Sequence, residues 1–417
     1  IRDSFWALRP STAPAWTGFS FSTGSEIQSR TVWDWLQLLL IPTTLIFIAW
    51  WLRITAREIN FEAAAKKQSQ QTFEAYLEQM TSLILDRHLR DSREGDEVRI
   101  VARALTSSVL RKIEPDRKGH VIEFLYESSL LDVSDPIVGL HDLDLTGAEL
   151  QDFSLSAASL QGPDLRSAQM QKIDLSISDL RGARLDGADL SGALLQETYL
   201  RDAKLRNANL RDAQMPAVTL AKSIMIGADL RGTNLEEANL SYADLSGANL
   251  TGANLKGAKM RGAILRGAVL DHADMRLANL SHADLQDAKL SRASLEGAKL
   301  SHVSMLNAHL RTTSFSGAVM NEIVLTGADL RLSNLSLANL RGAKLNAANL
   351  KGTILHDAIL GRADLNGATL NESDLRRANL SLATLRSADL RRANLEDAGL
   401  SGADLRGVDM RGSYAHG

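Results

Sequence analysis

The chain of 417 residues contains no cysteine, only 7 prolines, and few aromatic residues, at 5% of the total. The lack of cysteine excludes disulfides, thiolate metal sites and cysteine nucleophiles. Neither sign of charge dominates, because 47 basic residues face 50 acidic ones for a net charge of −3. This balance indicates neither a polyanionic nor a polycationic partner for the chain as a whole. The 29 glycines fall at regular intervals and form no GxGxxG nucleotide-binding loop.

A period of five residues dominates the sequence from Leu140 to Met410, where every fifth residue is Leu, Met or, once, Phe315. A small residue, usually Ala, stands two places earlier, as in the Ala-Asp-Leu-Ser-Gly unit at 243–247. On an α-helix, steps of five residues rotate by about 140° and gather on no face. In a straight strand they would alternate between faces. Each unit is therefore predicted to be a short extended piece followed by a bend of Gly, Ser, Asn or Asp, with Leu and Ala inside.

This run resembles the pentapeptide-repeat family, whose members form a right-handed quadrilateral β-helix with four units per coil. The resemblance implies a mainly β fold over residues 137–412, with twenty residues per coil and about fourteen coils. At about 4.8 Å between neighbouring strands, the rod would be roughly 65 Å long. A core filled with Leu and Ala leaves no room for a ligand cavity, so no cofactor is expected. Single coils are unstable alone, and the end coils are expected to need caps.

A second informative stretch is the apolar run WDWLQLLLIPTTLIFIAWWL at residues 33–52. About twenty apolar residues suffice to cross a hydrocarbon core, which predicts one transmembrane helix over residues 32–53 in contact with lipid. The alternatives are a buried helix of a soluble protein and a helix lying on a surface. Aromatic residues at both ends and basic residues after the run place the N-terminus outside and the repeats in the cytoplasm. The expected interface residues are Trp33, Trp35, Trp50, Trp51, Arg53 and Arg57.

The remaining segments complete the predicted organisation. Residues 1–31 are expected to form an irregular arm, and since the first residue is Ile, the natural chain is expected to begin further upstream. Residues 54–136 are predicted to form a helical stalk and N-terminal cap of three helices. Leu130, Leu131, Ile137 and Val138 are expected to contact the first coil. Residues 413–417 are expected to form a short tail.

The order of these parts also resembles a narrower group. The strings WTGF at 16–19, VWDWLQLLLIP at 32–42, FEAYLEQM at 73–80 and FLYESSLL at 124–131 precede the repeats. This arrangement resembles membrane-anchored pentapeptide-repeat proteins of cyanobacteria and related photosynthetic bacteria. The resemblance implies a bacterial inner or thylakoid membrane. It implies no mechanism, because that group has no assigned biochemical activity.

Irregular units occur in three places, at residues 153–178, 215–225 and 303–324. Larger residues replace Ala there, and we expect them to swell or bulge the coil locally. The two interpretations are sequence variation that the fold tolerates and a docking site.

One side of the predicted coil is basic. The position after Leu, taken every twenty residues, forms a ridge of cations that would attract phosphate groups or an acidic partner if the cations were unpaired. Aspartates lie two residues before four of its members, at Asp229, Asp329, Asp389 and Asp409. The ridge is thus either a ladder of alternating charge or an anionic docking surface. Its members are Arg211, Arg231, Arg311, Arg331, Lys351, Arg391 and Arg411.

Few residues suggest chemistry. Ser281, His282 and Asp284 could resemble a catalytic triad, but they occupy ordinary outward positions of residue types that recur throughout, so no enzyme is expected. His282 and His302 are twenty residues apart and should stack in adjacent coils, with His272 ten residues before His282. Two imidazoles would hold a metal ion only weakly, and solvated histidines are the favoured interpretation, so no metal site is expected.

The sequence therefore predicts a non-enzymatic, membrane-tethered scaffold or protein-interaction module that presents a rigid cytoplasmic rod. One form of this role is an accessory subunit of a larger membrane complex. The sequence contains no helix after the last repeat, so the last coil is expected to associate with a second copy or a partner. The alternative function is a DNA-mimic gyrase-type inhibitor, since some soluble pentapeptide-repeat proteins resemble duplex DNA in shape and negative charge. From residue 140 onward, 31 basic residues face 32 acidic ones, which is a poor imitation of a polyanion. Nucleic acid is not an expected partner.

Overall fold

A computed structural model describes the backbone of residues 32–415 and the side chains of residues 43–55 and 64–415. The predictions for the arm at 1–31, for residues 416–417 of the tail, and for the side chains of Trp33, Trp35 and Arg57 lie outside the described residues. The chain divides into two compact units, Ile1–Gln68 and Ser69–Gly417.

Three α-helices and one short 3-10 helix precede the repeats. Helix α1 spans Val32–Leu85, the 3-10 helix spans Leu89–Asp91, α2 spans Glu97–Leu110 and α3 spans Pro115–Glu127. Gly95 has a φ of 91° in the connection before α2, a conformation that glycine adopts without strain. Pro115 opens α3, where its missing N–H removes no helical hydrogen bond.

The apolar stretch of α1 is exposed where its side chains are described. The exposed fractions are 59% for Leu45, 68% for Ile46, 63% for Phe47, 57% for Trp50 and 56% for Trp51. Among the helices of the described residues, none is both long and apolar enough to span a membrane.

The repeats form a solenoid with a constant register. Parallel β-bridges join the residue before each Leu to the residue twenty positions later, from Asp144↔Asp164 to Asn394↔Tyr414. Each coil carries four such bridges, which define four sides. The twenty-residue coil that the family resemblance implied is confirmed. Leu250 and Ala253, like almost all Leu and Ala positions, are fully buried, so the five-residue period does place these residues in the core.

The corners between sides are tight turns. The amide N–H of Ala148 donates to the carbonyl oxygen of Leu145 at 3.0 Å, and the same bond recurs at later corners. The second residue of each corner has a positive φ, from Asp142 at 59° to Gly412 at 71°. Glycine accepts this conformation freely, whereas Ile177, with a φ of 62°, pays a conformational cost of about 1–2 kcal/mol. The corner N–H groups also bond the next coil, as from Gly182 to the carbonyl of Arg201 at 3.0 Å.

The prediction that the irregular units bulge the coil is wrong. Bridges such as Ser159↔Asp179, Gln214↔Asn234 and Ser304↔Val324 keep the twenty-residue register through all three regions. The interior absorbs the unusual side chains instead, because Phe315 is fully buried and the hydroxyl of Thr313 donates to the carbonyl of Leu290 at 2.8 Å.

The helices and the segment after them cover the first coil. The amide of Glu149 donates to the carbonyl of Pro115 at 3.2 Å, and the amide of Ser159 donates to the carbonyl of Leu131 at 2.6 Å. Lys118 Nζ donates to Asp144 Oδ1 and to the carbonyl of Thr146, each at 3.2 Å. Leu130, Leu131 and Val138 are fully buried, and Ile137 is 8% exposed. The first coil has no preceding coil to accept hydrogen bonds from its amide groups. The cap therefore supplies main-chain carbonyl acceptors for some of them.

Candidate interaction surfaces

The polar groups inside the solenoid are already paired. Where Ser or Thr replaces Ala, its hydroxyl donates to the carbonyl of a Leu, or of Met410 in the case of Ser413, as from Thr198 to Leu175 at 2.8 Å and from Ser373 to Leu370 at 2.6 Å. Buried hydroxyls with such partners are satisfied and offer nothing to a ligand. The surface of the solenoid is therefore where binding has to occur.

The ridge predicted from the sequence is largely neutralised. Arg231 contacts Asp229 at 2.5 Å, Arg331 contacts Asp329 at 2.6 Å, and the next two pairs, Arg391 with Asp389 and Arg411 with Asp409, both measure 2.7 Å. Arg211 lies 3.4 Å from Asp212, and Lys351 lies 3.5 Å from Glu372. Arg311 alone in the ridge has no carboxylate partner among the described residues. This pairing favours a ladder of alternating charge over an anionic docking surface.

The pairs within the ridge belong to a wider structural device, which we call the aspartate clamp. In an Asp-Leu-Arg or Asp-Met-Arg sequence, one aspartate oxygen accepts the arginine main-chain N–H while both oxygens hold its guanidinium. In the pair of Asp374 and Arg376, these distances are 3.2 Å to the main chain and 2.7–2.8 Å to the guanidinium. Charge-assisted bidentate pairs of this kind are stronger than neutral hydrogen bonds. Further clamps join Asp164 to Arg166, Asp179 to Arg181, Asp274 to Arg276 and Asp404 to Arg406.

The clamps at Asp229, Asp329 and Asp409 lower the pKa of their carboxyl groups. The side-chain hydrogen bond from Arg231 holds the pKa of Asp229 below its usual value, and Arg331 does the same for Asp329. The hydrogen bond from Arg411 lowers the pKa of Asp409 to about 2. An unfolded aspartate has a pKa of about 3.9, so these three clamps make the folded state prefer the ionised carboxylate.

This preference predicts acid sensitivity. Because the folded pKa values lie below the unfolded one, the clamps stabilise the fold fully above about pH 4 and lose that contribution as the pH falls towards about 2. We expect the melting temperature of the full chain, followed by calorimetry, to fall over this interval. A variant with Asp229→Asn, Asp329→Asn and Asp389→Asn should start lower at neutral pH and fall less steeply. Equal slopes for the two proteins would contradict the role of the clamps.

The stacking of two histidines in adjacent coils, predicted from their spacing, is confirmed. His282 and His302 stack with ring centroids 4.9 Å apart and an interplanar angle of 13°. His302 Nδ1 lies 3.4 Å from Glu322. Across residues 64–415 and the other described side chains, no group of three or more His, Asp or Glu residues could hold a metal ion. The hydroxyl of Ser281 donates to Asn279 at 2.8 Å, and Asp284 pairs with Arg266.

The last coil that the structure describes has an open edge within the described residues. From Leu145 to Leu395, the amide of every fifth residue donates to a carbonyl of the next coil, nineteen residues later. The last such bond runs from Leu395 to the carbonyl of Tyr414 at 2.7 Å. Within the described chain, the amides of Leu400, Leu405 and Met410 have no main-chain acceptor. Their side chains are only partly buried against the core. Unpaired strand edges of this kind accept another strand readily.

A cleft lies at one corner of the solenoid, with a volume of about 490 Å³. Arg341, Arg362, His302 and Glu322 line it. Neither arginine has a carboxylate partner in the part of the chain that the structure describes. The sequence interpretation missed this cleft, although a signal was present: Asn339, rather than an aspartate, stands two residues before Arg341, so no clamp forms there.

The sequence matches one family model, described as pentapeptide repeats (8 copies). The matches overlap and run from residues 140–176 to residues 373–412. No curated protein matches the chain.

Several solved structures are similar to parts of the chain. HetL, a pentapeptide repeat protein involved in heterocyst differentiation regulation in the cyanobacterium Nostoc sp. strain PCC 7120, is 34% identical over 53% of this chain and 88% of its own, with a TM-score of 0.23. Rfr23 of the cyanobacterium Cyanothece 51142 is 27% identical over 25% and 87%, with a TM-score of 0.22. QnrB1, a plasmid-mediated fluoroquinolone resistance protein, is 19% identical over 54% and 89%, with a TM-score of 0.27.

Proposed function

Because the chain belongs to the pentapeptide-repeat family, with matches throughout residues 140–412, we propose that it is a non-enzymatic scaffold tethered to a membrane. In this proposal the repeat domain lies in the cytoplasm and binds other proteins as an accessory subunit of a membrane complex. Residues 32–53 contact the lipid of a bacterial inner or thylakoid membrane, with the N-terminus on the opposite side.

The observation that carries the scaffold proposal is the unbroken ladder of bridges from Asp144 to Tyr414. Each coil between the two ends is bonded to the coil before it and the coil after it. The outward side chains are therefore held in fixed rows, so binding a partner to them requires little ordering of the solenoid. Surfaces ordered in advance bind more tightly for the same contacts. The open edge at Leu400, Leu405 and Met410 adds a site where a second copy or a partner strand could pair.

The membrane proposal is supported by composition and exposure. Residues 33–52 are mostly apolar, and Ile46, Phe47 and Trp50 are more than half exposed. Such a concentration of exposed apolar side chains typically marks contact with a membrane or another protein. The tryptophans at its two ends and Arg53 and Arg57 after it fit the interface positions of a single span.

The absence of cysteine allows a direct test of the topology. Single cysteines at Ser25→Cys and Ser413→Cys would be treated with a membrane-impermeant maleimide in intact spheroplasts. We expect Ser25→Cys to be labelled at once and Ser413→Cys only after permeabilisation. The unmodified chain is the control, since it contains no thiol. Labelling of both positions before permeabilisation, or release of the chain by a carbonate wash, would contradict the membrane tether.

Cross-linking tests the scaffold role on each side separately. The variants Ser304→Cys, Asn249→Cys, Ser294→Cys and Asn239→Cys place one thiol on each side of the coil. A thiol-linked photo-crosslinker in native membranes, followed by mass spectrometry, should capture a defined partner from at least one side. The same reagent on the unmodified chain should capture none. If no side captures any protein, the scaffold proposal fails.

The alternative, a DNA-mimic gyrase-type inhibitor, requires a strongly acidic surface. The outward aspartates described above are clamped by arginines at 2.5–2.7 Å, which cancels much of their field. The charge of the described surface therefore favours the scaffold.

A further inference from the structure

Five cations without a carboxylate partner in the described part of the chain share one side and one corner of the solenoid away from the ridge, although other unpaired cations lie elsewhere, including Arg311 in the ridge itself. Lys259 and Lys299 occupy the same position on one side, two coils apart, and Arg261, Arg341 and Arg362 stand at the corner that follows. None of these five has a carboxylate partner among the described side chains. Unpaired cations set close together create a positive field that attracts anionic partners, whereas clamped arginines do not.

The corner cleft is the concave part of this surface. Its shape arises where Gly342 removes the corner side chain between Arg341 and the next coil, and Arg362 closes the cleft from that coil. Its volume of about 490 Å³ far exceeds the roughly 30 Å³ that one water molecule occupies in the liquid. The cleft is therefore large enough for one or two amino-acid side chains.

The groups in the cleft specify the occupant. Arg341 and Arg362 contribute two positive charges, and Glu322 removes one, leaving a balance that suits a single carboxylate. A phosphate group, with a charge of about −1.5 to −2, would be repelled by Glu322. Asn321 also lines the cleft, and its buried Oδ1 has no hydrogen-bond partner within the described residues. A peptide could supply both missing partners, a carboxylate for the arginines and an N–H for the amide oxygen.

We propose that this cleft binds the glutamate or aspartate side chain of an acidic peptide segment from a partner protein. The proposal rests on the scaffold function above and names the chemistry of its partner. Arginine guanidinium groups bind carboxylates through paired hydrogen bonds of fixed geometry. Arg261 lies four coils before Arg341 in register, or about 19 Å at the usual strand spacing. An extended segment running along this corner would place further acidic residues near Arg261, Lys259 and Lys299.

The test measures binding of a fluorescent peptide of alternating Glu and Ser to the full chain in detergent micelles. R341Q/R362Q should weaken binding about tenfold, since it removes two charge-assisted hydrogen-bonding groups. E322Q should strengthen binding about threefold by removing the repelling carboxylate. The matched control is R231Q/R331Q, which removes two clamped arginines of the ridge and should leave binding unchanged. Circular dichroism melting curves establish that each variant is folded.

Three results would overturn the proposal. They are wild-type binding by R341Q/R362Q, an equal loss in the ridge control, and displacement of the peptide by millimolar inorganic phosphate. Vesicles of phosphatidylglycerol form a separate arm, and recruitment to them that depends on Arg341 and Arg362 would assign the cleft to a membrane instead. If cross-linking captures a partner while the cleft variants bind normally, the scaffold proposal stands and this inference fails. If the peptide binds at the cleft while cross-linking captures no partner on any side, this inference stands and the scaffold proposal fails.

Discussion

Replacing Gly119 with Ala should destabilise the capped end of the solenoid by about 2 kcal/mol, because an overpacking cost of about 3 kcal/mol exceeds a helix-propensity gain of about 1 kcal/mol. Gly119 lies in α3 against the first coil. A Cβ added there would overlap the carbonyl oxygen of Glu149 and lie 3.1 Å from its carbonyl carbon and 3.4 Å from the Phe153 ring. Main-chain atoms cannot rotate away, so α3 must shift. The shift would strain the bond from Glu149 to Pro115 and the contacts of Lys118 with Asp144 and Thr146.

The sign of the change in unfolding free energy is informative, because Ala favours a helix over Gly by about 1 kcal/mol. A helix free of the solenoid would therefore be stabilised by the same change. Gly139→Ala is the matched control, since nothing lies within 4 Å of an added Cβ at Gly139. We expect its unfolding free energy, measured with urea, to stay within about 0.5 kcal/mol of the original. A stabilised Gly119→Ala variant would mean that α3 does not pack on the first coil.

The second large effect is expected at Phe315, the one aromatic residue in the leucine ladder. Phe315 is fully buried, and Leu295 and Leu335 occupy the equivalent positions one coil before and one coil after it. Phe315→Ala would leave a cavity between these coils and should cost about 3–5 kcal/mol. Because solenoids need not unfold in a single step, hydrogen exchange of the amides at 295–335 is the appropriate measurement.

Phe315→Leu provides the comparison for this prediction. It restores the residue that the ladder uses elsewhere, so we expect a cost below about 1.5 kcal/mol. Exchange should accelerate locally in Phe315→Ala and little in Phe315→Leu. Equal acceleration in both variants would mean that the coils around Phe315 are shaped around the aromatic ring rather than around a leucine-sized side chain.

The core was the most predictable part of the structure. A period of five fits neither a helix nor a straight strand, and the burial of Leu145, Leu250 and Ala253 follows from that mismatch. The number of residues per coil was not predictable from the period alone, because three or five units would also close a turn. It came from the family resemblance, and the bridges confirm it.

The surface was less predictable, because charge in a sequence does not show which cations are paired. The sequence left the ridge as either a ladder of alternating charge or a docking surface, and the structure favours the ladder because Arg231 and Arg331 are held by Asp229 and Asp329. The sequence did not predict that Arg341 and Arg362 share a cleft. They occupy different corner positions, and only the coil geometry brings them together. The useful signal is local, namely whether an aspartate precedes the arginine by two residues.

The contact between α3 and the first coil could not be predicted in detail. Helical periodicity indicates a buried face, but it does not reveal that Gly119 must approach the main chain of Glu149. That closeness depends on how a helix crosses the end of a coil, which no short-range pattern encodes. The prediction of bulges failed for a related reason, because the interior accommodates Phe315 and Thr313 without a change of register.

The twenty-residue register also limits how the length of this chain can change. Removing one unit of five residues would keep Leu inside, but everything after the deletion would rotate by one quarter turn relative to the cap. Each surface row would then be split between two directions. Removing twenty residues would shorten the solenoid and leave every row aligned. A partner that contacts a single surface row should therefore bind solenoids whose lengths differ by whole coils of twenty residues. It should not bind solenoids whose lengths differ by a fraction of a coil.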